Sequence, residues 1–204
     1  PKHIILIILS LTLNYCATPD VKYQTILKTP DEQTTKSLVE STTKTKPTPV
    51  LLNKSCSSKM KIEDGVLSLE NKPKSLYQLF LIDLDEGNYS LKLYSECSCF
   101  GNNKTIMVPV VYLFNKDGEE IKLENKGTTL NDAGFTRAMY YLLTGTFTIK
   151  KKDSLYLLVT PDVSFVNKPL VKFIEKTSYY ADVSRGKMVG DTEGDFDFVI
   201  EKKP

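Results

Sequence analysis

The residue types that could do chemistry in this chain are few, and the cysteines come first. Cys16 follows an apolar run, Cys56 lies well downstream, and Cys97 and Cys99 are two positions apart. The single histidine is His3, within the apolar N-terminal segment. Without another imidazole, Ser-His-Asp and Cys-His catalysis and His-ligated zinc are excluded. The composition therefore favours attachment or structural roles for the cysteines.

Two carboxylate clusters, at residues 83–87 (DLDEG) and 191–197 (DTEGDFD), could act as acid–base pairs or bind calcium. A hydrolase of glycosidase type would need two such carboxyl groups facing each other in a cleft. Neither cluster has the ligand spacing of a twelve-residue calcium loop. Asp195 and Asp197 alternate with aromatic residues, as expected for a strand with one wet face. We predict solvated carboxylates, with no catalytic residue, no metal and no cofactor.

The N-terminal apolar segment, residues 4–13, sets the location of the protein. A membrane-spanning helix needs about 20 apolar residues, so this segment is too short to cross a bilayer. Its length and the preceding Lys2 and His3 fit a secretory signal. We predict a signal peptide over residues 1–15; the alternative is a buried N-terminal element of the fold.

The end of that segment resembles the lipobox of bacterial lipoproteins, in the looser form of spirochaete lipoproteins. The residues are LNYC, with Leu13 three positions before Cys16, although Tyr15 replaces the usual small residue. The resemblance implies cleavage before Cys16, acylation of this cysteine with chains such as palmitate, and a covalent lipid anchor in the cell envelope, at the outer membrane or the periplasmic face. The alternative is ordinary signal cleavage, which leaves Cys16 as a free or paired thiol.

Three cysteines remain if Cys16 is acylated. An oxidising envelope permits a disulfide, and an odd count leaves one thiol over. Cys97 and Cys99 lie on one extended segment, a poor geometry for pairing with each other. We predict a disulfide from Cys56 to Cys97 or Cys99, with the choice open.

Residues 16–58 are rich in Thr, Lys, Ser and Pro and have no sustained periodicity. Such a segment has too few apolar groups to offset chain entropy. It is predicted to be a disordered tether between the lipid and the folded body.

Residues 59–204 carry alternating runs such as YSLKLY and SLYLLVTP, divided by turn formers such as DEGN and NKDG. Short strands with frequent turns and no βαβ pattern predict an all-β domain, an antiparallel sandwich or a partly open barrel. Phrases such as VPVVYLFNKDGEEI and TEGDFDFVIE are also similar to the maltose-operon periplasmic protein family. That resemblance implies an envelope accessory protein linked to carbohydrate uptake.

The formal net charge of +2 gives no electrostatic basis for binding nucleic acid. The sequence therefore predicts a membrane-anchored, non-enzymatic β-domain that binds an unknown protein or glycan. The alternatives are an envelope hydrolase with paired carboxylates and an accessory protein of carbohydrate uptake.

Overall fold

The computed structural model describes residues 18–98, 103–131, 139–176 and 183–204. Two α-helices and two 3-10 turns accompany thirteen strands in these residues. The helices are α1 (Pro19–Leu27) and α2 (Leu38–Lys44), and the 3-10 turns are Asp31–Gln33 and Val163–Phe165. The strands are β1 (Thr48–Pro49), β2 (Cys56–Met60), β3 (Gly65–Leu67), β4 (Ser75–Leu84), β5 (Gly87–Ser98), β6 (Asn103–Met107), β7 (Pro109–Asn115), β8 (Glu124–Asn131), β9 (Tyr140–Ile149), β10 (Asp153–Pro161), β11 (Pro169–Lys176), β12 (Val183–Asp191) and β13 (Gly194–Lys202).

The strands form two sheets. The five-stranded sheet has the order β1-β4-β10-β7, with β3 also paired to β4. The eight-stranded sheet has the order β11-β12-β6-β5-β13-β2, with β9 paired to β5 and to β8. Most pairs are antiparallel, but β1 pairs with β4 and β12 pairs with β6 in parallel. The predicted all-β sandwich is confirmed.

The main core lies between the two sheets because the strands alternate inward apolar and outward polar residues. In β4 the side chain of Phe80 points into the core, and in β13 those of Phe196 and Phe198 do so. The Phe80 ring meets the Phe198 ring edge-on at a centroid distance of 4.8 Å, and the Phe196 ring at 6.1 Å. These contacts join the sheets, and the predicted outward placement of Asp195 and Asp197 is confirmed by their exposed and half-buried positions.

A second, smaller cluster covers the outer face of the five-stranded sheet. It contains Tyr77, Leu79, Phe114 and Leu158, and Leu38 of α2 packs against it. The Tyr77 hydroxyl shares hydrogen bonds with Thr35 and Thr45 on either side of α2, at 2.9 and 2.6 Å. The segment around α2 is therefore fixed to the sheet by both apolar and polar contacts.

The predicted disordered tether is consequently wrong for residues 18–58. Ile26 of α1 is only 1 % exposed and belongs to the main core, and Thr35 forms a parallel bridge with Leu67. The apolar residues of this segment are scattered along the sequence, and some of them, such as Ile26 and Leu38, pack against the sheets, whereas Val21 and Leu51 stay exposed. The folded body therefore begins well before residue 59, and β2 itself begins at Cys56. Residues 1–17, including the predicted signal peptide and Cys16, lie outside the described residues.

Candidate functional site

One end of the sandwich is covered by α1. The ion pairs of Lys22 and a small cavity both lie at this end. Pro19 at the first helical position and Asp20 in the first turn favour helix initiation here. Ile26 enters the core, and Lys74, just before β4, donates a hydrogen bond to the carbonyl of Thr29 at 2.8 Å. The helix thus reaches from β12 of the large sheet to the start of β4 in the small sheet.

Lys22 of α1 forms ion pairs with two carboxylates, Asp191 at the end of β12 and Glu193 just before β13. Its Nζ lies 3.0 Å from Asp191 Oδ2 and 2.7 Å from Glu193 Oε2. The Asp191 side chain is only 4 % exposed, whereas those of Lys22 and Glu193 are 23 % exposed. Burial lowers the pKa of Lys22, but hydrogen bonds and charge from Glu193 and Asp191 outweigh it, so the pKa is raised overall. The ammonium group therefore stays charged and forms an ion pair with each of the two carboxylates.

The two acids that Lys22 contacts, Asp191 and Glu193, also accept backbone hydrogen bonds, which leaves little room for a cation between them. Asp191 Oδ1 accepts from the backbone N–H of Thr192 at 2.7 Å, and Glu193 Oε1 accepts from that of Ile62 at 2.7 Å. Their oxygens are thus already occupied by Lys22 and by backbone donors. Within the described residues there is no group of three or more His, Cys, Asp or Glu side chains placed to hold a metal ion.

The other carboxylate cluster, at residues 83–87, lies at the opposite end of β4. Asp83 accepts a hydrogen bond from the Ser154 hydroxyl at 2.6 Å, and Asp85 lies 3.5 Å from the Lys152 ammonium. Both groups are exposed and face the turn between β9 and β10, where Lys150, Lys151 and Lys152 lie. The interpretation as solvated turn residues fits these contacts.

The 3-10 turn Val163–Phe165 stands beside the first residues of α1. Asn167 donates a side-chain hydrogen bond to Asp20, and its backbone N–H binds the carbonyl of Gly190 at 3.0 Å. A Cβ atom at Gly190 would overlap the carbonyl group of Phe165. The absence of a side chain at Gly190 therefore lets the turn lie directly on β12. The Phe165 side chain remains 37 % exposed.

A cavity of about 130 Å³ lies at this same end, on the side of the small sheet. Its walls include Lys72, Ser75, Tyr112, Thr160 and Asp162 among apolar residues. The hydroxyls at its base are satisfied internally, because Thr160 donates to Leu76 O at 2.7 Å and Ser75 donates to Pro161 O at 3.0 Å. They are therefore structural groups rather than free nucleophiles.

The size and lining of the cavity limit what it can bind. Ligand pockets usually enclose about 300–1,000 Å³, so this cavity is small for a ligand site, although it is large enough for water. Asp162 is the one acidic residue in its wall, whereas glycoside hydrolysis needs two carboxyl groups about 5–10 Å apart. Burial, with the charges of Glu120 and Asp162, raises the pKa of Tyr112, so its phenol stays neutral. The cavity does not provide the paired-carboxylate chemistry of the hydrolase alternative.

The predicted disulfide of Cys56 is wrong. Cys56 has a free thiol, and Cys97 is disulfide-bonded but not to Cys56. The register explains this: Cys56 of β2 pairs with Phe198 of β13, whose other neighbour is Leu93 of β5. Two strand spacings and four further residues along β5 separate the Cα atoms of Cys56 and Cys97 by roughly 16 Å. A disulfide requires about 4.4–6.8 Å. Cys99 lies outside the described residues.

Sequence reasoning missed two features of the segment before residue 59. The link from Lys22 to Asp191 joins residues that no local pattern connects. The capping box of α2 had a visible signal, since Ser37 and Glu40 have the S-x-x-E spacing. Glu40 N–H donates to Ser37 Oγ at 3.1 Å, and Glu40 Oε2 accepts from the backbone N–H of Lys36 at 2.6 Å.

No helix within the described ranges is both long enough and apolar enough to cross a membrane. Comparison with known proteins adds no assignment: neither a protein-family model nor a curated protein matches the chain.

Proposed function

We propose that this chain is a cell-envelope lipoprotein, held to a membrane by acyl chains on Cys16, whose β-sandwich binds a protein or glycan partner without catalysing a reaction. The observation that carries the proposal is the apolar segment of residues 4–13 that ends in LNYC. A segment of this length is typical of a secretory signal, and a cysteine at its end is the acceptor that lipoproteins use.

The architecture supports a binding role for the body. The cavity described above is smaller than a usual ligand pocket, and Asp191 and Glu193 are occupied by Lys22 and backbone donors. Recognition then falls to the outer surfaces of the sandwich and to its turns, where binding and specificity commonly lie. The accessory role in carbohydrate uptake stays a prediction of the second resemblance.

Metabolic labelling with a clickable fatty acid, followed by detergent phase partition, tests the anchor. We expect the unaltered protein to take up label and enter the detergent phase, because two or three acyl chains on one residue make release negligible. Cys16→Ser should lose both properties, and Cys56→Ser, a matched loss of another thiol, should keep both. If the unaltered protein takes up no label and stays in the aqueous phase, Cys16 is not acylated and the proposal is refuted.

A further inference from the structure

The distance between Cys16 and the folded body is short. Two residues, Ala17 and Thr18, separate Cys16 from Pro19, the first residue of α1. Even a fully extended chain spans at most about 11 Å over this interval. Lys22 and Ile26 fix α1 to the rest of the domain. The link from Cys16 therefore cannot be lengthened by unwinding the helix past Lys22 without breaking those contacts.

We propose that the end of the sandwich formed by α1 and the 3-10 turn Val163–Phe165 lies directly on the lipid headgroups. The inference rests on the proposed acylation of Cys16. The polar layer of one leaflet is about 5–8 Å thick, comparable with the reach from Cys16 to Pro19. An acyl chain in the hydrocarbon therefore brings the start of α1 to the headgroup level.

The groups exposed at this end suit such a position. Val21 is 56 % exposed and Phe165 is 37 % exposed. The hydrogen bond between Asn167 and Asp20 holds the two parts of this surface together. Apolar and aromatic side chains beside lysines are typical of protein surfaces at the membrane interface. Lys168, next to Asn167, is exposed and supplies a cation for lipid phosphate.

The opposite end of the domain is placed away from the membrane. Strand β10 runs from Asp153, beside the turn with Lys150–Lys152, to Pro161, beside the 3-10 turn. Nine residues of strand hold these ends about 27 Å apart. The turn with Lys150–Lys152 therefore faces away from the membrane and is available to a partner. Its positive charge alone would have suggested binding to anionic lipid.

The chain contains no tryptophan, so a single introduced tryptophan reports its own surroundings. Phe165→Trp places the reporter at the proposed membrane face, and Lys151→Trp places it at the far end as a matched control. Val21→Trp is a second reporter in case Phe165→Trp does not fold, which circular dichroism detects. Each lipidated full-length protein is reconstituted in phosphatidylcholine vesicles brominated near the headgroup end of the acyl chains. Intact mass is measured on the same samples.

With acylation confirmed by mass, we expect emission from Trp at residue 165 or 21 to fall roughly twofold or more relative to non-brominated vesicles, because the ring lies near the acyl–headgroup boundary. Emission from residue 151 should be unchanged. An acylated protein with no quenching at 165 and 21, or with quenching at 151, overturns this orientation while leaving the anchor intact. A protein without acyl mass overturns the proposed anchor and this inference together.

Discussion

Lys22 and Asp191 lie 169 residues apart in the sequence, yet Lys22 Nζ donates to Asp191 Oδ2 over 3.0 Å. This contact joins α1 to β12. It keeps a nearly buried carboxylate paired and holds α1 across the open end of the sandwich. The stability of this end should therefore depend on one ammonium group.

Lys22→Met should destabilise the fold by about 3 kcal/mol, near the lower end of the range for breaking a buried ion pair, since Lys22 itself is partly exposed. Urea unfolding followed by circular dichroism measures the change. Lys59→Met is the control: Lys59 pairs with Asp195 at 3.2 Å, but both side chains are more than half exposed. Its cost should stay below about 1 kcal/mol. Equal effects of the two substitutions would contradict the assigned role of Lys22.

The same pair predicts a pH dependence. The pKa of Lys22 is raised from its ordinary value of 10.5. The stability that this shift contributes is complete below pH 10.5 and is lost as the pH rises through the folded-state pKa. The difference in unfolding free energy between the unaltered protein and Lys22→Met should therefore narrow above pH 10.5. Urea titrations at a series of pH values on either side of 10.5 would show it. A difference in unfolding free energy that stays constant with pH would contradict the raised pKa of Lys22.

Ser37→Ala tests whether the segment before residue 59 is ordered. The substitution removes the acceptor of the Glu40 N–H and should cost about 1 kcal/mol, as loss of an N-cap usually does. Thr43→Ala, at an exposed position of α2, should be neutral or slightly stabilising, because alanine favours helix. If thermal unfolding shows no difference between the two variants, α2 contributes nothing to the stability of the domain.

Cys56 should react slowly with thiol reagents in the folded protein. Burial, aided by the negative charge of Asp197, raises the pKa of its thiol, so little reactive thiolate exists near pH 7. Iodoacetamide should modify Cys56 much faster in urea than in buffer. Peptide mapping without reduction should recover this residue alkylated. Recovery of Cys56 in a disulfide would restore the pairing that the structure excludes.

Phe80→Ala should cost about 3–5 kcal/mol, because the ring is buried between the sheets and touches two aromatic rings of β13. Phe165→Ala removes an identical side chain from the partly exposed 3-10 turn and should cost less than about 1 kcal/mol. Chemical unfolding of both variants measures the contrast. A small effect at Phe80 would show that the two sheets are not joined through these rings.

The alternating pattern of β13 was sufficient to predict its buried and exposed faces, because side chains along a strand alternate by geometry alone. The same kind of local pattern predicted the sandwich. It failed for α1, whose apolar residues do not mark one buried face: Val21 and Leu27 are exposed, whereas Ile26 is buried. The burial of Ile26 depends on a site formed by strands far along the chain.

The disulfide prediction failed for a related reason. The number of cysteines and the compartment indicate which thiols could pair, but the actual pairing depends on which strands are neighbours. Strand β13 lies between β2, which carries Cys56, and β5, which carries Cys97. No feature of the sequence near Cys56 indicates this arrangement. The cavity around Tyr112 and Asp162 could not be predicted from local sequence either, because it forms where β7 begins and β10 ends, beside β3.

The position of β13 also sets the order of events during synthesis. This strand lies between β5 and β2, and it is formed by residues 194–202. Until those residues emerge, β2 has no partner, one edge of β5 is bare and Phe80 lacks its two aromatic neighbours. The β2–β13 pairing joins residues that are 134 (Met60 and Gly194) to 142 (Cys56 and Phe198) positions apart. Folding of the large sheet therefore depends on contacts of long sequence separation, which are typical of slowly folding β proteins.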